Sequence, residues 1–168
     1  MADTIYKKIR AGHNMSREEV CDEAEALGYP RSPERLERVE NEKYPIHPDE
    51  VLLLSEIYGE PTLCNYYCSQ ECPIGQKYVP EIKVKDLTQI VLEMLSSLNS
   101  AQKKQERFIE ISADGIIDDS EIKDFVFIQK ELERISITVE CLQMWVEQML
   151  ADEKIDRKKY ELYFNNDK

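Results

Sequence analysis

Apolar residues recur three and four positions apart along most of the chain, the spacing that gathers them on one face of an α-helix. Over residues 1–60 the pattern comes in short pieces separated by turn residues. Ile5 and Ile9 predict a short first helix. Ser16 followed by Glu19 predicts an N-cap with its capping-box glutamate. Val20, Ala24 and Leu27 then form the inner face of a second helix, which Gly28 ends. Tyr29 to Pro33 reads as a turn. Ser32 caps a third helix, with Pro33 at the first position, where a missing N–H is harmless, and Leu36 and Val39 facing inward. A fourth helix starts at His47–Pro48, turns Val51, Leu54 and Ile57 inward and stops at Gly59.

Beyond residue 80 the pieces lengthen. From Val84 to about Ser112 the apolar positions include Leu87, Ile90, Val91, Met94, Leu95 and Leu98. From Ser120 to about Leu150, Phe125, Leu132, Val139 and Val146 are seven apart, and Ile128, Ile135, Leu142 and Met149 follow three later. These are the a and d positions of a coiled-coil seam. The link from Ala113 to Asp118 is short, so the two runs predict antiparallel neighbours. A second stripe (Ile137, Cys141, Met144, Trp145) widens the later helix beyond one seam. The surplus docks on the first zone, on a second copy, or under residues 154–168. The fold class expected is therefore all-α: a small four- to five-helix domain over 1–60, a Cys- and Pro-containing connector over 61–80, and a long antiparallel, coiled-coil-like hairpin over 81–168. The hairpin is the expected dimerisation or partner-binding region, with a homodimer or a helical protein as partner.

The order of the first four helices resembles the lambda-repressor-like, Cro-type helix-turn-helix domain of XRE-family transcriptional regulators. The resemblance rests on Ile5 and Ile9, on Ser16-Arg17-Glu18-Glu19-Val20, on Leu36-Glu37-Arg38-Val39-Glu40-Asn41, and on Lys43, Pro48, Leu52, Leu53 and Ile57-Tyr58-Gly59. It covers the N-terminal third. It implies a recognition helix ending near Asn41, a double-stranded DNA partner and a role in transcription regulation. The stretch between Cys21 and Leu36 is longer than the family usually has. Arg31, Arg35 and Arg38 stand four and three apart, which on a helix would gather them on one face. The candidate DNA contacts are accordingly Arg35 or Arg38 on a guanine, Arg31 and Lys43 on phosphates, and Ser32 at the helix start. A dimer would set two such helices about 34 Å apart, one turn of DNA.

Charge changes this picture. The chain carries 34 Asp and Glu against 22 Lys and Arg, a net charge of −12. A general basic coat for nucleic acid is excluded, and any DNA contact must come from a local patch. Residues 1–60 are themselves net −6, with 14 acidic and 8 basic residues. Glu34, Glu37, Glu40 and Glu42 offset the four cations between Arg31 and Lys43. The rival expectation is a protein-interaction adaptor that keeps the helix-turn-helix shape without DNA affinity.

The candidate metal chemistry lies in the connector. Cys64, Cys68 and Cys72 are spaced C-x3-C-x3-C, one stripe on a continuous helix. Such a stripe supplies three soft ligands for zinc or an iron–sulfur cluster, with His13, His47 or Cys21 as a fourth. The alternatives are buried apolar thiols, with no cofactor, or a redox sensor. Residues 110–121 resemble part of an EF-hand loop, with Gly115 sixth and Glu121 twelfth, but Gly115, Asp118 and Glu121 equally form a helix stop and a capping box. Neither histidine sits in an H-E-x-x-H setting, and there is no G-x-S-x-G or P-loop, so no enzyme is expected. No apolar leader opens the chain and no long apolar run follows, so the expected location is the cytoplasm, without a membrane span.

Overall fold

A computed structural model describes residues 3–166 of the chain, and the described residues are helical with no strand among them. Short polar side chains start the N-terminal helices. Thr4 Oγ1 accepts from the Lys7 N–H at 3.3 Å and opens α1 (Ile5–Gly12). Ser16 Oγ accepts from Glu19 N at 3.1 Å while Ser16 N donates to Glu19 Oε2 at 2.7 Å, the capping box expected at the head of α2 (Arg17–Ala26). Ser32 Oγ accepts from Arg35 N at 3.3 Å and caps α3 (Pro33–Glu40) without a reciprocal bond. Gly59, at φ +62°, ends α4 (Pro48–Tyr58) in the left-handed conformation that glycine adopts without strain.

Each of these helices is too short to hold itself, so their shared interior decides the fold. That interior is Tyr6, Val20, Leu36, Val39, Ile46, Val51, Leu54 and Tyr58, closed by Leu63 of α5 (Thr62–Tyr66), which is fully buried. Tyr6 is the buried residue of α1, and Ile5 and Ile9 pack partly buried against the same core. One expectation needs correction. Leu27 is not inward: it follows α2 as its C-cap and is 41% exposed.

The connector is helical but irregular. After α5 the backbone widens into a single π-helical turn, Tyr67–Glu71, closed by Cys72 N donating to Tyr67 O at 2.9 Å. Then α6 (Gly75–Tyr78) folds back on it so closely that a Cβ on Gly75 would stand 1.9 Å from the Cys68 carbonyl oxygen. Only glycine admits that approach.

The chain divides into two compact units. The first holds the residues up to Glu81 together with those from Gln148 onward, and the second spans Ile82–Glu147. The final segment, expected in the hairpin, thus joins the N-terminal unit: Gln148 Nε2 donates to Gly59 O at 3.3 Å, and α10 (Arg157–Asn166) belongs there too.

In the second unit the expected first arm is broken. α7 (Leu87–Gln102) ends at Lys103, and α8 (Gln105–Ser112) starts after Lys104, whose φ and ψ of −110° and 7° are not helical. α9 (Ile122–Ala151) runs back antiparallel to α7: Lys104 pairs with Asp124 at 3.3 Å, and at the other end burial pushes the Cys141 thiol up while the nearby Lys85 ammonium offsets part of that rise. The packed seam is rotated from the expected one. Ile128, Glu131, Thr138 and Cys141 are buried, while Leu132 and Val139 of the anticipated a positions are 49% and 40% exposed. Polar groups sit in this seam because each finds a partner: Glu131 takes the Arg134 guanidinium at 2.7 Å, and the Thr138 hydroxyl donates to Ile135 O at 2.8 Å.

Candidate functional site

The candidate DNA-contacting residues lie around the α2–turn–α3 element, and two buried glutamates govern their positions. Glu40 occupies the apolar register of α3, four residues after Leu36, so its carboxylate enters the interior and its side chain has no exposed surface. A buried carboxylate needs partners. Arg10 of α1 reaches it through Nη2 at 3.0 Å and Arg17 of α2 through Nε at 2.8 Å, and Arg10 Nη1 also donates to Met15 O at 2.7 Å. Burial would raise the Glu40 pKa, but the hydrogen bonds from Arg10 and Arg17 outweigh it and hold the carboxyl below its ordinary range.

The second clamp is Glu50, on the first turn of α4. Its Oε2 accepts from His47 N at 2.9 Å, and its two oxygens take the Arg35 guanidinium at 2.8 and 2.6 Å. This is the two-pronged geometry of an arginine–carboxylate pair. Arg35 Nη2 also donates to Pro45 O at 2.9 Å, and its guanidinium lies 4.9 Å from the Tyr44 ring centre. Here too burial raises the carboxyl and the contacts from Arg35 and His47 N overcome it, leaving Glu50 below the usual range.

The expected cationic face is therefore not assembled. Arg31 precedes the N-cap Ser32, whose backbone is extended, so helical spacing does not place it beside Arg35. Its Nη2 pairs with Asp49 at 2.7 Å instead. Ser32 Oγ is engaged at the cap. Arg38 is exposed without an ion pair among the described residues, and so is Lys43, which lies past the end of α3 after Glu42 at φ +56°. Around them the surface is acidic. Glu18, Glu19, Asp22, Glu23 and Glu25 are exposed on α2, and Glu34 and Glu37 on α3. Beside this element a cleft of about 430 Å³ is lined by Tyr6, Glu42, Tyr44, Tyr66 and Glu71 among others. In it the Tyr6 hydroxyl donates to Glu71 at 2.9 Å, and burial together with nearby Glu42 pushes the Glu71 carboxyl up.

The cysteine stripe is not formed. The π-helical turn lies between Cys64 and Cys72, and Cys72 is extended at φ −80° and ψ 120°, so the three thiols leave the i, i+4, i+8 register. All three are free and half-buried. Among the described residues no three His, Cys, Asp or Glu side chains converge as a metal ion requires. His13 stacks on Tyr58 with ring centres 5.6 Å apart, and Cys21 is buried on α2. In the loop resembling an EF-hand the polar groups serve the backbone: Asp118 Oδ1 accepts from Ser120 N at 2.7 Å and Glu121 N at 3.1 Å, and Asp114 Oδ1 accepts from Ile116 N at 3.0 Å. Gly115, at φ +73°, makes the turn.

Sequence reasoning missed Glu40 and Glu50 as organisers of the site. The signal was available for Glu40, a glutamate in step with Leu36 and Val39, and weaker for Glu50, which reads as an ordinary capping residue. Compared with known protein families, curated proteins and solved structures, the chain has no significant match. No helix among the described residues is long and apolar enough to cross a membrane.

Proposed function

We propose that this protein is a protein-interaction module whose N-terminal unit has a helix-turn-helix-like layout and receives a basic protein segment instead of an operator. The observation that carries this reading is the withdrawal of arginine from the outer surface. Arg10 and Arg17 are held by Glu40, Arg35 by Glu50, and Arg31 by Asp49. What remains outside on α2 and α3 is predominantly carboxylate. Phosphate contacts dominate DNA affinity, and an acidic strip repels phosphate while attracting lysine and arginine. The cleft lined by Tyr44, Glu42 and Glu71 suits a cationic side chain for the same reason.

The test is a pair of titrations with the full chain at two salt concentrations. One uses a Lys/Arg-rich peptide and the other a pool of random DNA duplexes followed by selection. The reading expects peptide binding that weakens with salt and no enriched DNA sequence. Failure of the peptide to bind, or selection of a defined duplex, overturns it. A second reading, an XRE-type transcriptional regulator, keeps one specific support: Arg38 stands exposed on α3 with no ion pair among the described residues. That reading expects an enriched duplex whose binding Arg38→Ala abolishes.

A further inference from the structure

The second unit buries few apolar residues and exposes many. Ile90, Ile111, Ile128 and Cys141 are its buried apolar side chains, while fifteen large hydrophobic residues between Val84 and Val139 are exposed. The exposed residues are ordered. On α7, Leu87, Val91, Leu95 and Leu98 follow one another at spacings of four, four and three, and Leu95 is 51% exposed. On α9, Leu132 and Val139 are seven apart.

Their directions can be worked out from helix geometry. At about 100° per residue, the α7 stripe lies roughly 100° past the buried line through Ile90 and Ser97, and Leu132 and Val139 lie roughly 100° past the mean of the buried positions on α9, in the same rotational sense. Because α7 and α9 are antiparallel, equal rotations bring both stripes to one side of the hairpin. The result is a single two-helix apolar face.

We propose that a second copy of this chain covers that face, the two hairpins packing across a two-fold axis as a four-helix bundle. Three observations choose this occupant. The first is charge. In a chain of net charge −12, self-association brings like charges together unless the contact is neutral. α7 contains one charged residue, Glu93, about 160° round the helix from Val91 and tied to Lys85. On α9, Gln129, Ser136 and Gln143, which lie nearest Leu132 and Val139 on the outer flank, are uncharged, while Glu133 and Glu140 stand about 100° round from the two apolar residues, at the rim. The centre of the face is therefore free of charge, and the glutamates are left to its rim, where water screens them.

The second is area. Six half-exposed Leu and Val residues amount to on the order of 500 Å² of surface per chain, at the upper end of what a monomer leaves exposed. Burial from both copies, with the flanking polar residues, reaches about 1,200 Å², where stable interfaces begin. The third is the scarcity of buried apolar residues within the unit, which a second hairpin makes good.

Sedimentation velocity on the full chain tests this, and the expected mass is twice 19.7 kDa. Leu95→Glu with Leu132→Glu is expected to return the 19.7 kDa species with helical circular dichroism unchanged. A second measurement covers failure of the variant to fold: the wild-type melting temperature should rise by several degrees over about a hundredfold increase in protein concentration, as it does when association stabilises the fold. A wild-type chain that sediments as a monomer and melts independently of concentration overturns the proposal. So does a folded double variant that stays dimeric.

Discussion

Replacing Glu40 with glutamine removes the charge on which two arginines converge while keeping the side chain's size. The carboxylate is wholly buried and takes hydrogen bonds from both Arg10 and Arg17, linking α1, α2 and α3 at one point. Breaking a buried ion pair by removing one partner typically costs about 3–5 kcal/mol, because the opposing charge is left without a counter-ion. Arg10 is 14% exposed and Arg17 28%, so each regains some water, which places the expected loss near the lower figure, about 3 kcal/mol. Against a typical domain stability of about 5–15 kcal/mol that is a large fraction, and for a unit of this size it corresponds to a fall of roughly 12–24 °C in melting temperature. The chain supplies its own probes. All nine tyrosines lie in the N-terminal unit and the single tryptophan, Trp145, in the second. Tyrosine near-ultraviolet dichroism therefore follows the unit that Glu40 holds, and Trp145 fluorescence follows the other. The control is Glu37→Gln, which changes an exposed carboxylate 3.9 Å from Arg17 and should shift stability by no more than about 0.5 kcal/mol. A loss under about 1 kcal/mol for Glu40→Gln would mean that the three helices do not depend on this clamp.

Two further outcomes follow, one from the glutamate clamps and one from the connector. Glu40 and Glu50 both have folded pKa values below their ordinary ones, so the stability they contribute is present above the unfolded carboxylate pKa and is lost as pH falls through the folded values. The tyrosine signal should accordingly show an acid transition that begins below about pH 4.5, and a unit unfolding no more easily at pH 3 than at pH 7 contradicts the two clamps. Gly75→Ala would drive a methyl group against the Cys68 carbonyl, 1.9 Å away, and should destabilise the N-terminal unit by more than about 1 kcal/mol in urea unfolding, whereas wild-type stability would show that α6 does not press on the π-helical turn.

Local signals in the sequence were reliable where one residue decides the outcome. The caps at Ser16 and Ser32 and the glycine stop at Gly59 are each fixed by the backbone's need for a donor, an acceptor or a left-handed turn, and all stand where the spacing put them. The helix order and the core positions Val20, Leu36, Val39, Val51 and Leu54 were legible for a similar reason, since periodicity survives packing. What was not legible depended on choices between equivalent faces. On α9 two apolar lines compete for the seam, and the packed one includes Glu131 and Thr138 because each is satisfied by a neighbour one turn away. No count of apolar residues reveals that.

The arginines fail for a deeper reason. Spacing at three and four places charges on a common face only if the segment is helical throughout and the side chains have no nearer acceptor. Arg31 breaks the first condition, lying before the cap at Ser32, and Arg35 breaks the second, finding Glu50 fifteen residues onward. A long, planar cation beside a half-buried carboxylate gains two charge-assisted hydrogen bonds, more than it gains in water. In a chain with twelve more acidic than basic residues, such an acceptor is seldom far away, so net charge bears on arginine availability before any surface is drawn. The same excess explains why a face without charge stands out in this molecule. On α7 the polar positions are filled by Thr88, Gln89, Ser96, Asn99 and Gln102 where the rest of the chain would place a glutamate, and neutral residues at those positions are what contact between two equally acidic copies requires.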